Sequence, residues 1–524
     1  MLFRPLCLLT VALFISPLQS PTQAAQSEED LRASLKKFTQ VYEVVEGNFA
    51  DKIDSDQIYK GAIPAMLRTL DPHSNFFDPK ANELFREQQQ GRYFGVGMYI
   101  FAPEGKVMVS YPFINSPAWK AGLHPADTII SVNDKNTEKL GVGDVSAMLK
   151  GPRGTPAQVV VKRIGETKPL TFDIIRDQVP RDSVTDAYWY RPGIAFVKID
   201  AFNENTSKEL DQALTKLGES KMEGLILDLR DNPGGLVNEA VGVADHFLHK
   251  GQGIVSHHGR SSAETKFAAK HGERGPEYPI VVLVNRGSAS AAEILTGALQ
   301  DHDRAWVLGE NTFGKGLVQA PFPLTGDSTL LLTIAKYYTP SGRLIQRDYE
   351  HQSFYEYYSR GEGHVNLKDA KKTDSGRIVY GGDGIAPDEH YEVPKFTRLE
   401  AEIEGRTIGF FYAPNFFAAH KTPLTRDWTP DAATMEDFKQ FAMKRGMTID
   451  QADWDRDKPW LEEYVREQLF ITAFSKEDSD RVALDHDPEI QKAIEALPQS
   501  KALLEKAKAI IARQSHEPAA AIVR

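Results

Sequence analysis

Short apolar segments alternate with helix-like segments after about residue 190, and this alternation constrains the fold more than any other feature. The segments "GIAFVKI", "GLILDLR" and "PIVVLVN" are followed by "TSKELDQALTKLGES", "LVNEAVGVADHFLHK" and "AAEILTGALQD", respectively. A strand, a helix and a second strand connected in this way form a right-handed crossover between parallel neighbours. The pattern therefore predicts an α/β core with a mainly parallel sheet, in which sites lie at the carboxyl ends of the strands.

Three further regions flank or precede this core. Residues 25–90 carry apolar side chains at helical spacing and predict an N-terminal helical region. Residues 91–180 consist of short alternating runs that are typical of a β module, and the α/β core is assigned to 181–391. Residues 392–524 are charged and helix-like, which predicts a C-terminal helical extension. The polar stretch 359–377 is expected to be a loop.

The N-terminus has the pattern of an export signal. An apolar run over residues 6–15 follows an early arginine, and residues 22–24 offer a small-x-small cleavage site. Residues 1–24 are therefore predicted to be a signal peptide, and the protein to be periplasmic or otherwise extracytoplasmic. The single cysteine, Cys7, lies in this segment, so the mature chain is expected to contain no thiol. No later apolar run reaches about 18 residues, so no integral membrane segment is expected in the mature chain.

A lysine between two glycines, in "GENTFGKGLVQ", matches part of a phosphate-binding loop. Such a loop requires Ser or Thr after the lysine, but position 316 is glycine. It also has to open a helix, but Pro321 and Pro323 follow. Lys315 therefore fits another role. A lysine can act as a base near neutral pH only where burial disfavours its ammonium form, and the apolar neighbours of Lys315 favour such a site.

Two strand-turn-helix units could supply the groups that act with this lysine. Ser288 and Ser290 lie in the turn of "NRGSASAAEILTGALQD", directly before a helix whose dipole favours developing negative charge. Gly234 and Gly235 of "LDLRDNPGG" expose backbone N–H groups beside another helix start. Each unit alone also fits a plain N-cap serine or a plain βα turn. Because Ala292 replaces the closing glycine of G-x-S-x-G, an α/β-hydrolase is disfavoured.

These motifs resemble those of the C-terminal processing peptidases, also called tail-specific proteases, which are Ser-Lys serine endopeptidases with a PDZ domain. The similarity runs from about residue 35 to 390 and includes "LDPHSNFFDP", "LDLRDNPGG", "NRGSASAAEILTGALQD" and "RAWVLGENTFGKGLVQ". It implies that Ser290 is the nucleophile, Lys315 the general base and Gln319 the residue that orients the lysine. It also implies an oxyanion hole formed by the N–H groups of Gly235 and Ala291.

The β module resembles a PDZ domain. The resemblance implies that the backbone N–H groups of Gly95, Val96 and Gly97, in "FGVGM", meet the terminal carboxylate of a peptide that adds as a β-strand. Ala126 departs from the family pattern, which usually has glycine before the aspartate.

The implied activity is cleavage of proteins near their C-termini through an acyl-enzyme, without metal or cofactor. The partners are protein or peptide substrates with free C-termini, and both a homo-oligomer and a complex with an adaptor protein are compatible with the sequence. The net charge of −11 disfavours nucleic acid as a partner.

Two other functions fit a chain with a PDZ module. A trypsin-like PDZ protease requires a G-x-S-G-G nucleophile with an upstream His and Asp, and the sequence has no such serine. A non-enzymatic PDZ adaptor does not require Ser290, Lys315 and Gln319, which are all present. The histidines, including the adjacent His257 and His258, lack the spacing of a metal site, and neither of these two is expected to be the base.

Overall fold

In the computed structural model, the residues described are 21–272, 277–359, 366–420 and 423–516. Residues 1–20 of the predicted signal peptide, with Cys7, lie outside these ranges. The chain divides into two compact units between Leu70 and Asp71. The first unit contains the helices α1 (Pro21–Asn48) and α2 (Ser55–Arg68).

The second unit begins with a short strand and a helix, followed by the β module. These two elements are β1 (Asn75–Phe77) and α3 (Pro79–Gln90). The module consists of β2 (Arg92–Gly95), β3 (Met98–Phe101), β4 (Met108–Pro112), α4 (Pro117–Ala121), β5 (Thr128–Val132), β6 (Lys135–Asn136), α5 (Val142–Leu149), β7 (Pro156–Lys162), β8 (Leu170–Ile175) and β9 (Asp177–Pro180). Its main sheet has the order β3-β4-β5-β7-β8, and β2 pairs with β9 where the chain enters and leaves the module.

The α/β core follows the module. Its elements are β10 (Val184–Arg191), β11 (Ile194–Ile199), α6 (Thr206–Leu217), β12 (Gly224–Asp228), α7 (Val237–Phe247), β13 (Gly253–His258), β14 (Thr265–Ala268), β15 (Ile280–Val284), α8 (Ala291–Asp301), β16 (Trp306–Gly309), β17 (Leu317–Pro323), β18 (Thr329–Tyr338), α9 (Phe354–Tyr358), β19 (Asn366–Lys372), β20 (Ile378–Gly381) and β21 (Glu389–His390). The central sheet has the order β10-β11-β12-β15-β16-β21 and is parallel from β11 to β21. The predicted mainly parallel core is confirmed.

The strand order explains how the two faces of this sheet are covered. From β11 to β16 the order never reverses, so right-handed crossovers place α6, α7 and α8 on the same face. Side chains that alternate along the strands divide between two apolar clusters. Val197, Leu227 and Val282 pack with those three helices, while Ile226 and Leu283 point to the opposite face. That second face needs a cover from elsewhere in the chain.

The C-terminal extension supplies this cover. Its helices are α10 (Arg398–Gly405), α11 (Ile408–Ala419), α12 (Ala432–Lys444), α13 (Gln451–Ala473), α14 (Lys476–Asp485) and α15 (Pro488–His516). Ile490, Ala493 and Leu497 of α15 pack on the second face of the sheet. The Ser500 hydroxyl donates to the Ile280 carbonyl at 2.8 Å, which fixes the helix along β15. The predicted helical extension is confirmed, and α15 completes the core. Among the helices in the described ranges, none combines the length and apolarity that crossing a bilayer requires.

The same extension also contacts the β module. Phe411 of α11 packs with Met108 and Ala126, and the Phe410 ring lies edge-on to Phe101 at 4.7 Å between centroids. Ala126, the departure from the family pattern, has a φ of 65°. A left-handed alanine costs about 1 kcal/mol, and here its methyl group is buried against Phe411.

The prediction that residues 359–377 form a loop is wrong in part. β19 lies within that region and pairs antiparallel with β20, which begins directly after it at Ile378. Its apolar pattern is weak because charges attach it to the core: the Arg377 guanidinium donates to Asp303 at 2.7 Å and also bonds Asp388. Ion pairs of this kind leave no periodic signal in a sequence.

We expect replacement of Ile490 by alanine to destabilise the second unit. Ile490 is fully buried between α15 and the sheet, so the cavity should lower the free energy of unfolding by about 2–4 kcal/mol. The exposed Lys501 on the same helix is the control, and Lys501→Ala should change it by less than about 0.5 kcal/mol. Urea-induced unfolding of both variants measures the difference. Equal stabilities would contradict the role of α15 as the cover of the sheet.

Candidate active site

Ser290 lies at the turn between β15 and α8, in a backbone conformation that residues other than glycine rarely adopt. Its φ and ψ are 54° and −112°, and α8 begins at the next residue. The neighbouring Ser288 is buried, donates to the Leu229 carbonyl at 2.7 Å and accepts from the Asn285 N–H at 3.0 Å. Ser288 therefore joins two turns of the sheet, while the strain falls on Ser290. Strain of this kind is concentrated at functional sites.

The Glu293 carboxylate connects the Ser290 turn to the lysine loop. One of its oxygens accepts from the backbone N–H groups of both Ser290 and Lys315, each at 2.8 Å. The other accepts from the Gly314 N–H at 2.7 Å and the Thr312 hydroxyl at 2.5 Å. Burial raises the pKa of Glu293, and these four donors act in the opposite direction. One buried carboxylate thus holds Ser290 and Lys315 side by side.

Tyr337 of β18 joins the same two residues from the opposite side. Its single hydroxyl proton is shared between the Lys315 carbonyl and the Ser290 carbonyl, the latter at 3.1 Å from the hydroxyl oxygen. The side chain is almost fully buried. The backbones of Ser290 and Lys315 are therefore bridged through both their N–H and their C=O groups.

Lys315 is a partly buried lysine whose ammonium has a defined partner. Its Nζ donates to Gln319 Oε1 at 2.9 Å. The pairing of β17 with β18 shifts register between Val318 and Gln319. Burial lowers the pKa of Lys315, while the Glu293 and Asp71 carboxylates act against this shift. Because burial is the larger cause, the neutral amine is favoured relative to a lysine in water.

The glycine loop after β12 lies against Ser290. A Cβ placed on Gly234 would be 2.7 Å from Ser290 Cβ and 2.8 Å from the Ala291 nitrogen. The Gly234 N–H donates to Asn232 Oδ1 at 2.8 Å, and the Gly234 carbonyl accepts from the Phe202 N–H at 2.9 Å. Asn232 therefore determines which N–H of this loop is available to a ligand.

The available donors are the N–H groups of Gly235 and Ala291. Across the described part of the chain, neither donates to a protein acceptor. Each of these residues comes directly after one whose position is fixed by hydrogen bonds: Gly235 follows Gly234, and Ala291 follows Ser290. Backbone donors beside a hydroxyl at a helix start can stabilise an oxyanion.

His73 of the "LDPHS" segment contacts Gln319, the hydrogen-bond partner of Lys315. Its carbonyl accepts from Gln319 Nε2 at 2.5 Å, and its Nε2 lies 2.7 Å from the Tyr357 hydroxyl. Burial lowers the pKa of His73 to about 4, and the positive charge of Lys315 acts in the same direction. His73 is therefore neutral near pH 7.

The glycine loop of the β module, residues 95–97, is held by the start of α4. The Ser116 hydroxyl donates to the Gly97 carbonyl, and the Ala118 N–H donates to the Val96 carbonyl, both at 2.7 Å. Gly97 has a φ of 80°. The N–H groups of Val96 and Gly97 have no protein acceptor within the residues that the structure describes.

The structure brings together Ser290, Lys315, Gln319, Gly235 and Ala291, all of which the sequence indicated. The β-module loop lies in a separate part of the second unit. Sequence reasoning missed four residues that fix this site: His73, Asn232, Glu293 and Tyr337. The spacing of Ser290 and Glu293 matches a capping box, S-x-x-E, which could have identified Glu293. No short-range pattern points to Tyr337 or His73.

Three protein families match parts of this chain. Residues 193–350 match peptidase family S41, and residues 109–163 match the PDZ domain family. Residues 15–81 match the family described as the activating protease CtpB N-terminal domain. The S41 match contains Ser290, Lys315 and Gln319.

Two curated relatives of this chain are named carboxy-terminal processing proteases. A carboxy-terminal-processing protease of Bartonella bacilliformis is 37% identical over 325 residues, which are 61% of this chain and 74% of the relative. The carboxy-terminal processing protease CtpB of Bacillus subtilis is 31% identical over 326 residues, which are 62% of this chain and 68% of the relative. Among solved structures, the photosystem II D1 C-terminal processing protease is 28% identical with a TM-score of 0.36, and the match covers 68% of this chain and 86% of that one.

We expect Gly234→Ala to slow the reaction of Ser290 with a serine-directed fluorophosphonate by about 10²-fold, because the added methyl group displaces Ser290 or the Ala291 N–H. Gly251→Ala is the matched control, because Gly251 has a φ of 91° against 93° for Gly234 and no atom within 4 Å of an added Cβ. Labelling rates of the two variants separate crowding from backbone strain. Equal rates would contradict a role for the glycine loop.

Proposed function

This chain belongs to peptidase family S41, the family of the carboxy-terminal processing proteases, and on that premise we propose that it cleaves proteins near their C-termini with Ser290 as nucleophile. The observation that carries the proposal is the Glu293 carboxylate, which accepts from the N–H groups of both Ser290 and Lys315. A hydroxyl and a partly buried amine on adjacent backbones are the two groups that a serine peptidase without histidine requires.

The proposed reaction is acyl transfer. The neutral amine of Lys315 takes the proton of Ser290 Oγ while that oxygen bonds to the scissile carbonyl carbon. The carbonyl oxygen becomes negative and is held by the N–H groups of Gly235 and Ala291. The C–N bond then breaks, and the Lys315 ammonium returns the proton to the leaving amine. Water attacks the resulting ester with Lys315 again as base, which releases the new C-terminus and restores Ser290.

Gln319 is proposed to orient the lysine. Its Oε1 accepts from Nζ at 2.9 Å, which fixes the side chain without adding a charge. A carboxylate at this position would stabilise the ammonium and weaken the base, whereas a neutral amide does so far less. Gln319 therefore suits a base that must lose its proton near neutral pH.

The PDZ module is proposed to capture the substrate tail. The N–H groups of Val96 and Gly97, which have no acceptor among the described residues, support this, because a terminal carboxylate is the acceptor that such a loop binds. Gly95, at the end of β2, extends the same loop. A tail held in this way would add as a strand to the module.

Export is proposed from the sequence of residues 1–24. The apolar run and the small residues at 22–24 support it.

We expect Ser290→Ala and Lys315→Ala each to reduce cleavage of an unfolded protein with an apolar tail by at least about 10³-fold. The kcat/KM of the wild type should rise with pH, because only the neutral amine accepts the proton, and should fall as pH drops through the lowered pKa of Lys315. Gel-based cleavage assays and a pH series with a fluorogenic peptide measure both effects.

His257→Ala is the control for these variants and should retain activity, since His257 lies on β13 and has no role in the proposed reaction. Unchanged cleavage by both Ser290→Ala and Lys315→Ala would exclude the proposed mechanism. A wild type without cleavage activity would favour the adaptor.

We expect a peptide with a C-terminal amide to bind at least about 10-fold more weakly than the same peptide with a free carboxylate, because charged hydrogen bonds to the loop are lost. Binding is measured by fluorescence polarisation on the Ser290→Ala protein, which should not cleave the peptide. Gly97→Ala should remove the discrimination, because its Cβ would lie 2.4 Å from Ser116 Cβ. Gly105→Ala is the matched control, with a φ of 78° and no neighbour within 4 Å. Equal affinities for the two peptides in the wild type would contradict tail capture.

A further inference from the structure

The segment before β1 is fixed rigidly against the core. The Asp71 carboxylate accepts from the backbone N–H groups of His73 and Ser74, both at 2.8 Å, and from the Ser74 hydroxyl at 2.6 Å. β1 then pairs antiparallel with β18, the strand that contains Tyr337. The position of His73 is therefore set by the same strand that bridges Ser290 and Lys315.

The His73 carbonyl determines the orientation of Gln319. Because it accepts from Gln319 Nε2, the carboxamide must present its oxygen to Lys315. An amide rotated by half a turn would place its NH₂ group against the ammonium and leave the His73 carbonyl without that donor. The lysine's hydrogen bond thus depends on a carbonyl that lies far away in the sequence.

The His73 imidazole is part of an aromatic wall next to the lysine. Its ring lies 6.2 Å from that of Phe313, two residues before Lys315, and 5.5 Å from that of Tyr357. Tyr358 is at 6.3 Å, and the Arg347 guanidinium lies over the ring of Phe313 at 5.3 Å. His73 and Phe313 are only partly exposed, so ring surface takes the place of some of the water beside the lysine.

Neighbouring charges act on both the His73 imidazole and the Lys315 ammonium. The charge of Lys315 is the second cause, after burial, that lowers the pKa of His73. Arg347 lowers it further, and Asp71 opposes both. Lys315 itself faces the Glu293 and Asp71 carboxylates, which favour its charged form. Since both carboxylates oppose the neutral amine, the exclusion of water must outweigh them.

We infer that His73 is a positioning residue for the proposed reaction: its carbonyl fixes Gln319, and its imidazole ring keeps water away from Lys315. The inference rests on the proposed function, because it assigns Lys315 the role of base. The ring acts by its shape and takes no proton. A phenylalanine at this position should therefore replace it, and the Tyr357 hydroxyl would keep Gln346 Nε2 at 3.3 Å as a donor.

The test is the pH dependence of kcat/KM for a fluorogenic peptide with the full chain. His73→Ala should move the acid limb to higher pH by about one unit, which corresponds to about a 10-fold lower kcat/KM below the limb, with a smaller change at the alkaline plateau. His73→Phe should keep the limb within about 0.3 units of the wild type. His351→Ala is the control, because His351 is 80% exposed, and its profile should be unchanged.

Two results would overturn the inference. An unmoved limb with a lower plateau in His73→Ala would show that the ring supports the fold only. Loss of activity at every pH in a folded His73→Phe, checked by its thermal unfolding, would show that the imidazole itself takes part in proton transfer. Lys315→Ala separates the two hypotheses: if it still cleaves, the proposed function fails. If it is inactive while His73→Ala has the wild-type limb, only the role of His73 fails.

Discussion

The buried Glu293 carboxylate is the interaction on which the rest of the site depends. Burying an isolated carboxylate costs several kcal/mol, and the charge is retained only where donors surround it. Here the donors are three backbone N–H groups and the Thr312 hydroxyl. Two of these N–H groups belong to Ser290 and Lys315, so the hydrogen bonds that stabilise the carboxylate also set the distance between two turns from different parts of the sheet.

This arrangement has an electrostatic cost that the structure offsets by burial. A negative charge beside Lys315 stabilises the ammonium and works against a lysine base. The donors on Glu293 reduce its effective charge, and the walls made by Phe313 and His73 reduce access of water. The balance is visible in the direction of the shift, since the pKa of Lys315 is lowered although Glu293 and Asp71 both raise it. Desolvation is the stronger effect at this position.

The sequence predicted the parts of the structure that local patterns encode. Alternating apolar segments identified the parallel core. Serines and glycines at strand ends indicated Ser288 or Ser290 and Gly234 or Gly235, and the family resemblance selected Ser290 and Gly235. The capping-box spacing of Glu293 was a local signal that was overlooked. His73 and Tyr337 could not be found in this way, because their contacts with Gln319 and Ser290 join segments that only the folded chain brings together. The polar hairpin of β19 and β20 was missed for a related reason, since its attachment depends on Arg377 and its carboxylate partners.

The C-terminal extension shows how one helical region can serve two neighbours. Through α15 it covers the face of the sheet that the strand order leaves open. Through α11 it touches the PDZ module at Ala126, where a strained alanine contributes a methyl group to the contact with Phe411. Moving the module about its β2–β9 stem would break the contact of Phe411 with Met108 and Ala126 and return part of that apolar surface to water, at a cost of about 25 cal/mol per Å² exposed. The module is therefore held both by the stem, through which the chain enters and leaves it, and by the extension, so any rearrangement has to expose apolar surface that the module and the extension now share.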